Sequence, residues 1–398
     1  MLTLEQIWKS SHQQTNWIIE QRRKLHRIPE LGFNLPRTST FVRERLEELG
    51  ISYRYPIAHS GIIADLGKEG PCVALRADMD ALPIHEQADV EFRSEIPGQM
   101  HACGHDCHTA MLLGAAKILK ESEHLLPGRV RLIFQPAEET GGGAARMVAE
   151  GVLEQPKVQR IFGIHVWPFV DTGKVCGREK TFLAAVTSFH IVVKGKGGHG
   201  AFPHTTRDPI AAATQIINAI QTIVSRESNP VEPSVVSVTK LKAGTAYNII
   251  PDQVEFGGTI RALTIEHLER LRESVNRLAT EIAAAMRCSA TMSLGEGEFD
   301  YPPTVNSAHC WNLAQDVARE YLSEANVLTI DPVMGAEDFS FYTSKADACF
   351  IALGVRNEAI GAIHDVHNCQ FKVDENALAI GTAMHVGFAV RSLAELAS

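Results

Sequence analysis

The alternation of apolar and polar positions predicts most of the elements. Residues 72–80 read C-V-A-L-R-A-D-M-D, an apolar run bounded by turn residues, which predicts a buried strand ending on Asp78 and Asp80. In an extended chain those two carboxylates share a side. Upstream, residues 15–50 carry helical spacing interrupted by R-I-P-E-L-G-F-N-L-P, and the second helix stops at Gly50. The runs I-S-Y-R-Y and G-I-I-A-D-L predict short strands. Met111, Leu112, Ala115, Ile118 and Leu119 predict a helix, with Asp106 as its N-cap. R-V-R-L-I-F-Q predicts a strand followed by P-A-E-E-T-G-G-G, and R-I-F-G-I-H-V-W-P a strand with His165 near its end. Strands alternating with helices predict an α/β domain whose mainly parallel mixed sheet is covered by helices on both faces. Ligands of such sheets gather outside the carboxyl ends of the strands, where Asp78, Glu138, Glu139 and His165 fall.

The pattern changes near residue 181. T-S-F-H-I-V-V-K-G-K alternates as a half-exposed strand. A helix follows, with Asp208 as cap, Pro209 at its first position and a stripe of Ile210, Ala213, Ile217, Ile220 and Val224. Two strands come next, then a helix with Ile265, Leu268, Leu271, Val275, Leu278 and Ile282 on one face, then the strand A-T-M-S-L. Four strands and two helices describe an inserted α+β domain at 181–293, between the two parts, 1–180 and 294–398, of a discontinuous α/β domain. The last third holds F-I-A-L-G-V, then H-D-V-H-N-C-Q-F, then a terminal helix from near Asp374.

Composition narrows the picture only a little. A chain of 398 residues exceeds one ordinary core, which agrees with two domains. Net charge, 38 minus 47 or -9, argues against nucleic acid and anionic membranes as partners. No signal peptide is legible at the start, and no apolar stretch is read as long enough to span a membrane. With eight scattered cysteines, this leads to the expectation of a reducing, cytoplasmic location.

The chemistry concentrates at M-H-A-C-G-H-D-C-H, residues 100–108: three imidazoles, two thiols and a carboxylate in nine residues. A lone His or Cys belongs by default to core or surface, but this density points to metal, and thiolate with imidazole suits zinc, nickel, cobalt or manganese. A competing reading makes Cys103 a nucleophile with a His base. Glu138 and Glu139 form by default a solvated acidic turn. His199 in K-G-G-H-G is by itself a loop residue, Asn248 a turn residue and Arg261 a strand-end charge.

In this order the motifs are specific. R-R-K-L-H-R-I-P-E-L-G-F, R-A-D-M-D-A-L-P, M-H-A-C-G-H-D, F-Q-P-A-E-E, I-H-V-W-P, G-K-G-G-H-G-A-F-P-H, Y-N-I-I-P-D, G-A-E-D-F and H-N-C-Q-F run nearly end to end. The chain resembles the metal-dependent amidohydrolases that include hippurate hydrolase, N-acyl-amino-acid amidohydrolases and auxin-conjugate hydrolases, relatives of aminoacylase and dinuclear-metal carboxypeptidases. The resemblance implies two divalent metal ions held by Cys103, His105, Glu139, His165 and His367. It implies Glu138 as general base and Asp78 as a supporting carboxylate. It makes the insertion a lid and dimer interface, in which His199 stabilises the oxyanion of its own or a neighbouring subunit's site, while Asn248 and Arg261 hold the substrate carboxylate. The implied reaction is hydrolysis of N-acyl amino acids by a homodimer or higher homo-oligomer. Alternatives are a dipeptidase or carboxypeptidase, and an inactive metal-bearing binding protein. The family commonly has proline where Cys369 stands. His364 lies three residues before His367 and competes with it as ligand, and F-K-V-D-E-N-A-L aligns best with His367.

Overall fold

A computed structural model describes residues 2–295 and 300–398. They form two compact units: Met1–Phe182 with Val305–Asp331 and Asp338–Ser398, and Leu183–Thr304 with Pro332–Glu337. The second unit runs past the 181–293 expected from sequence, for two reasons. Asp300–Tyr301 continues the pairing along strand Ala185–Lys194, and the N–H of Ala184 donates to the carbonyls of Val333 and Gly335.

The first unit is built on an eight-stranded mixed sheet. Its order is Tyr53–Ile57, Gly61–Gly67, Arg129–Gln135, Cys72–Asp78, Val158–Asp171, Asp347–Arg356, Val175–Gly177, Val327–Thr329. The four central strands are mutually parallel, as the βα alternation predicts. Every residue of Cys72–Asp78 is buried, so its apolar character is continuous rather than alternating. Val73, Leu75 and Ala77 enter the main core with helices Leu4–Gln13, Thr15–His26, Pro36–Glu48, His105–Glu121, Ala308–Tyr321 and Ala377–Leu396. The alternate positions, Arg76 and Asp78, face the other way, where the short helices Gly143–Ala149 and Ser340–Thr343 lie. Helix Leu4–Gln13 lies outside the elements expected from sequence, although Leu4 and Ile7 carry helical spacing and Thr3 with Gln6 forms a capping box.

Two further expectations change. Helix His105–Glu121 is capped by Gly104 in the left-handed region (φ 88°), not by Asp106, which is the second helical residue and fully buried. Helix Ala377–Leu396 is, against the sequence reading, long and apolar enough to cross a membrane by length and composition, yet it is almost wholly buried within the protein. Its apolarity is that of a core helix, packed on His105–Glu121 and on the sheet.

The second unit has its own core and an antiparallel sheet ordered Ser234–Ala243, Gln253–Ala262, Ala185–Lys194, Ser289–Leu294. Asp208 caps helix Pro209–Thr222 through the N–H groups of Ile210 and Ala211. The buried stripe is Ala212, Ala213, Ile216 and Ile220, a rotation from the one predicted that leaves Ile210 and Val224 exposed. On helix Ile265–Ala285, Leu268, Leu271 and Val275 are buried as expected, whereas Ile265 is exposed and Ala279 and Ala283 complete the seam. Small alanines fit where helix and sheet approach closely, a preference that hydrophobic spacing alone does not register.

Candidate metal centre

The sheet and one tight turn bring the donors together. Strand Val158–Asp171 delivers His165 from the face opposite the main core. Gly104 makes the turn between Cys103 and His105: a β-carbon there would stand 2.4 Å from Val166 Cγ2, and φ is +88°. Only glycine meets both conditions. His367 arrives from the C-terminal part, with its own backbone at φ +64° and its N–H donating to the Ala102 carbonyl at 2.8 Å. A left-handed histidine is uncommon and costs energy, so its neighbours must hold it there.

Among the described residues five groups of three donors lie close enough to share an ion, and Cys103 belongs to two of them. Cys103, His105 and His165 form one; Cys103, Glu139 and His367 form the other; within each, the ligand atoms lie within 4.8 Å of one another. All five residues expected as ligands are therefore brought together in the first unit, and His367 rather than His364 is among them. His199, Asn248 and Arg261 lie in the second unit. There His199 pairs with Ile249, Gly200 N–H donates to Asn248 O at 2.8 Å, and Arg261 Nη1 donates to Met334 O at 2.9 Å.

The donor atoms fit cations. His165 Nδ1–H donates to the Val166 carbonyl at 2.7 Å, so the neutral ring turns the Nε2 lone pair towards Cys103 Sγ, 3.4 Å away. Burial holds His165 neutral, down to about 4. Glu139 Oε1 has His367 Nε2 at 3.2 Å, yet no hydrogen bond reaches it, and neither His105 ring nitrogen has a hydrogen-bond partner. Buried polar atoms are ordinarily satisfied, and a cation between these converging donors would satisfy them. Burial opposes charge on His105, but Asp78, Asp80 and Glu139 outweigh it and lift the ring to about 10. Burial, reinforced by Glu139, Glu138 and Asp78, pushes the Cys103 thiol well up. A cation would answer this surplus of buried negative charge and convert the thiol to thiolate. The same surplus disfavours a free Cys103 nucleophile.

Carboxylates behind the donors fix their aim. Asp78 accepts from Arg76 Nη1 at 2.7 Å and from His108 Nδ1 at 2.6 Å, and stands 3.6 Å from His105 Nε2. His108 Nε2 accepts the Val166 N–H at 2.9 Å, which fixes the tautomer and ties the His165 strand to Asp78. Arg76 also reaches Asp338 at 2.9 Å and Gln135 at 2.9 Å. Asp80 is a site residue that the sequence alone does not assign. Its carboxylate accepts the N–H groups of both Glu138 and Glu139, at 3.0 and 3.2 Å, and lies 3.4 Å from His105 Nδ1. The alternation that puts Asp78 and Asp80 on one side was the signal for it. The motif at 22–33 finds its role here too. Arg22 Nε donates to Asp106 at 2.7 Å, His26 Nδ1 lies 2.8 Å from the same oxygen, and Glu30 accepts the N–H groups of Arg37 and Thr38.

Comparison with known proteins shows what the chain as a whole is similar to. The model for peptidase family M20/M25/M40 matches residues 74–391. An IAA-amino acid hydrolase of Arabidopsis thaliana, ILR1-like 4, is 44% identical over 383 residues, covering 96% of this chain and 87% of that protein. Thermostable carboxypeptidase 2 of Saccharolobus solfataricus is 43% identical over 382 residues, covering 94% and 95%. The crystal structure of a dinuclear metal binding peptidase of the M20 family from Bacillus subtilis superposes with a TM-score of 0.82 at 36% identity, covering 96% of this chain and 98% of that one.

Proposed function

We propose, from the premise that this chain belongs to peptidase family M20/M25/M40 and is a hydrolase of amide bonds, that it cleaves N-acyl amino acids with Glu138 as general base. The observation that carries the reading is the pair of donor groups sharing Cys103, with Glu138 beside them. Cys103, His105 and His165 would hold one divalent cation, and Cys103, Glu139 and His367 the other. Two such ions, when bound, acidify a shared water and polarise the scissile carbonyl.

The chain's own residues do the rest. Glu138 is buried to 7% exposure, and its Oε2 lies 3.9 Å from His105 Nε2. It takes a proton from the attacking water and returns it to the departing amine nitrogen, so water and amide become a carboxylate and an amino acid. Asp80 holds the backbone of Glu138 and Glu139, which lets one neighbour ligate while the other moves a proton. We assign oxyanion stabilisation to His199: Ala201 N–H donates to its Nδ1 at 3.0 Å, so a neutral ring carries its proton on Nε2, the atom that can donate. Asn248 and Arg261 are assigned to the substrate carboxylate, the usual partner of a guanidinium. The second unit is assigned as lid and dimer interface.

A carboxypeptidase reading has the archaeal relative in its favour. The test is a panel of N-acetyl and N-benzoyl amino acids against dipeptides, with the metal-loaded protein. Turnover of the acyl amino acids supports the proposal, whereas turnover of dipeptides alone transfers the same chemistry to peptides.

A further inference from the structure

Residues 83–99 form a loop with no helix or strand of its own, closed at its neck by the Leu82–Met100 pair. It leaves the chain just after Asp80 and rejoins it just before Cys103. So long a loop is uncommon in a compact domain unless it is functional or disordered, and this one is held at several points. Glu95 N–H donates to the Arg27 carbonyl at 2.9 Å, and Gln87 N–H to the Cys369 carbonyl at 2.7 Å, in the segment that carries His367. Phe92 lies under the Arg22 and Arg23 guanidinium groups, at 4.7 and 4.8 Å, with the His26 ring 5.4 Å away at 84°.

Glu86, beside Gln87, has a side chain only 4% exposed. Its Oε1 faces His26 Nε2 at 3.0 Å, and its Oε2 accepts the Ser94 N–H at 2.6 Å. On the far side of the ring, His26 Nδ1 faces Asp106 Oδ2 at 2.8 Å, and Asp106 follows His105. With a carboxylate oxygen at each ring nitrogen, both nitrogens donate and the ring is an imidazolium. Burial and Arg22 oppose that charge, but Asp106 and the bonds to Asp106 and Glu86 outweigh them and raise the pKa of His26.

Resting on the reading of the donors as a metal centre, we propose that Glu86 and His26 are positioning residues for the cations, fixing through Asp106 the turn that carries Cys103 and His105. Arg22 grips the same Asp106 oxygen at 2.7 Å and compensates its charge. His26 adds a link from that carboxylate to the loop. Charge-assisted bonds at both ring nitrogens set a direction as well as a distance, which an apolar contact would not. The loop end of the link is fixed in turn by the neighbouring Gln87, so one loop holds both the Cys103–His105 turn and the His367 segment.

The test titrates metal-free protein with cobalt(II), whose visible absorption reports the ligands around it. Wild type should bind two ions. Glu86→Gln and His26→Gln should each weaken cobalt binding about tenfold, the usual order for losing an outer partner of a metal ligand, and shift the visible band. A Gln amide at 86 turns a donor towards either His26 or Ser94, both donors themselves, so the link breaks with little change in volume. Should Glu86→Gln fail to fold, His26→Gln reads the same link. Glu95→Gln, which removes the exposed pair with Arg27 at 3.5 Å from the same loop, should change neither affinity nor band. Folded Glu86→Gln and His26→Gln proteins that bind cobalt as wild type does, even with a lower unfolding temperature, overturn this inference and leave the metal reading intact. A wild type that binds no cobalt overturns that reading and this inference with it.

Discussion

The backbone N–H of His367 donates to the carbonyl of Ala102 at 2.8 Å, fastening the C-terminal donor to the turn that carries Cys103 and His105. This bond holds His367 at φ +64°, and its imidazole Nε2 then meets Glu139 at 3.2 Å. Position and strain are therefore coupled at one residue.

That coupling separates two substitutions. His367→Ala and His367→Asn should both lose the second cation. Asn tolerates the left-handed conformation, so His367→Asn should remain more stable than His367→Ala by about 1 kcal/mol. Metal analysis beside thermal unfolding of the two variants checks this. Equal stability would show that the left-handed turn carries no strain.

Glu138→Gln keeps the size of the side chain and the backbone bond to Asp80 but cannot accept a proton. It should retain both cations and lose about 10²- to 10⁴-fold in kcat. Full metal content with near-normal turnover would remove Glu138 from the role of base.

Asp106 and Arg22, both fully buried, form an ion pair behind the metal turn. Burial opposes ionisation of Asp106, but Arg22 and then His26 outweigh it and hold the carboxyl well below its ordinary value. Its stabilising contribution is thus complete above the unfolded value of about 3.9 and is lost as pH falls towards the lower folded value. Asp106→Asn should destabilise the protein by roughly 3–5 kcal/mol at neutral pH, because it leaves a buried guanidinium half paired. The gap between wild type and variant should narrow below about pH 4. Unfolding followed in matched buffers from pH 7 to 3 reads both. A gap that is constant with pH would contradict the depressed Asp106.

Much of this was legible in the sequence because it is local. The buried strand Cys72–Asp78, the Asp208 cap and the dense donors of residues 100–108 each follow from a few neighbouring residues. The α/β class followed from alternation of elements. Asp106 misled as a cap because its type fits an N-terminus, while its true partners, Arg22 and His26, come from a distant helix. Asp80 was undervalued for the same reason, since its work is to accept two N–H groups from a loop more than fifty residues on. The apolar stripe of helix Pro209–Thr222 is rotated because Ala212 and Ala213 pack close to the sheet while Ile210, at its start, stays outside. The helix that could span a membrane by composition shows that only packing separates a core helix from a membrane one.

The proposed function requires Cys103 to be shared between two cations, and anomalous diffraction from crystals of the metal-loaded protein reads that sharing. The expected map has two peaks, both touching Cys103 Sγ, one completed by His105 and His165 and the other by Glu139 and His367. A single peak, or two peaks of which one lies away from that sulfur, would contradict it.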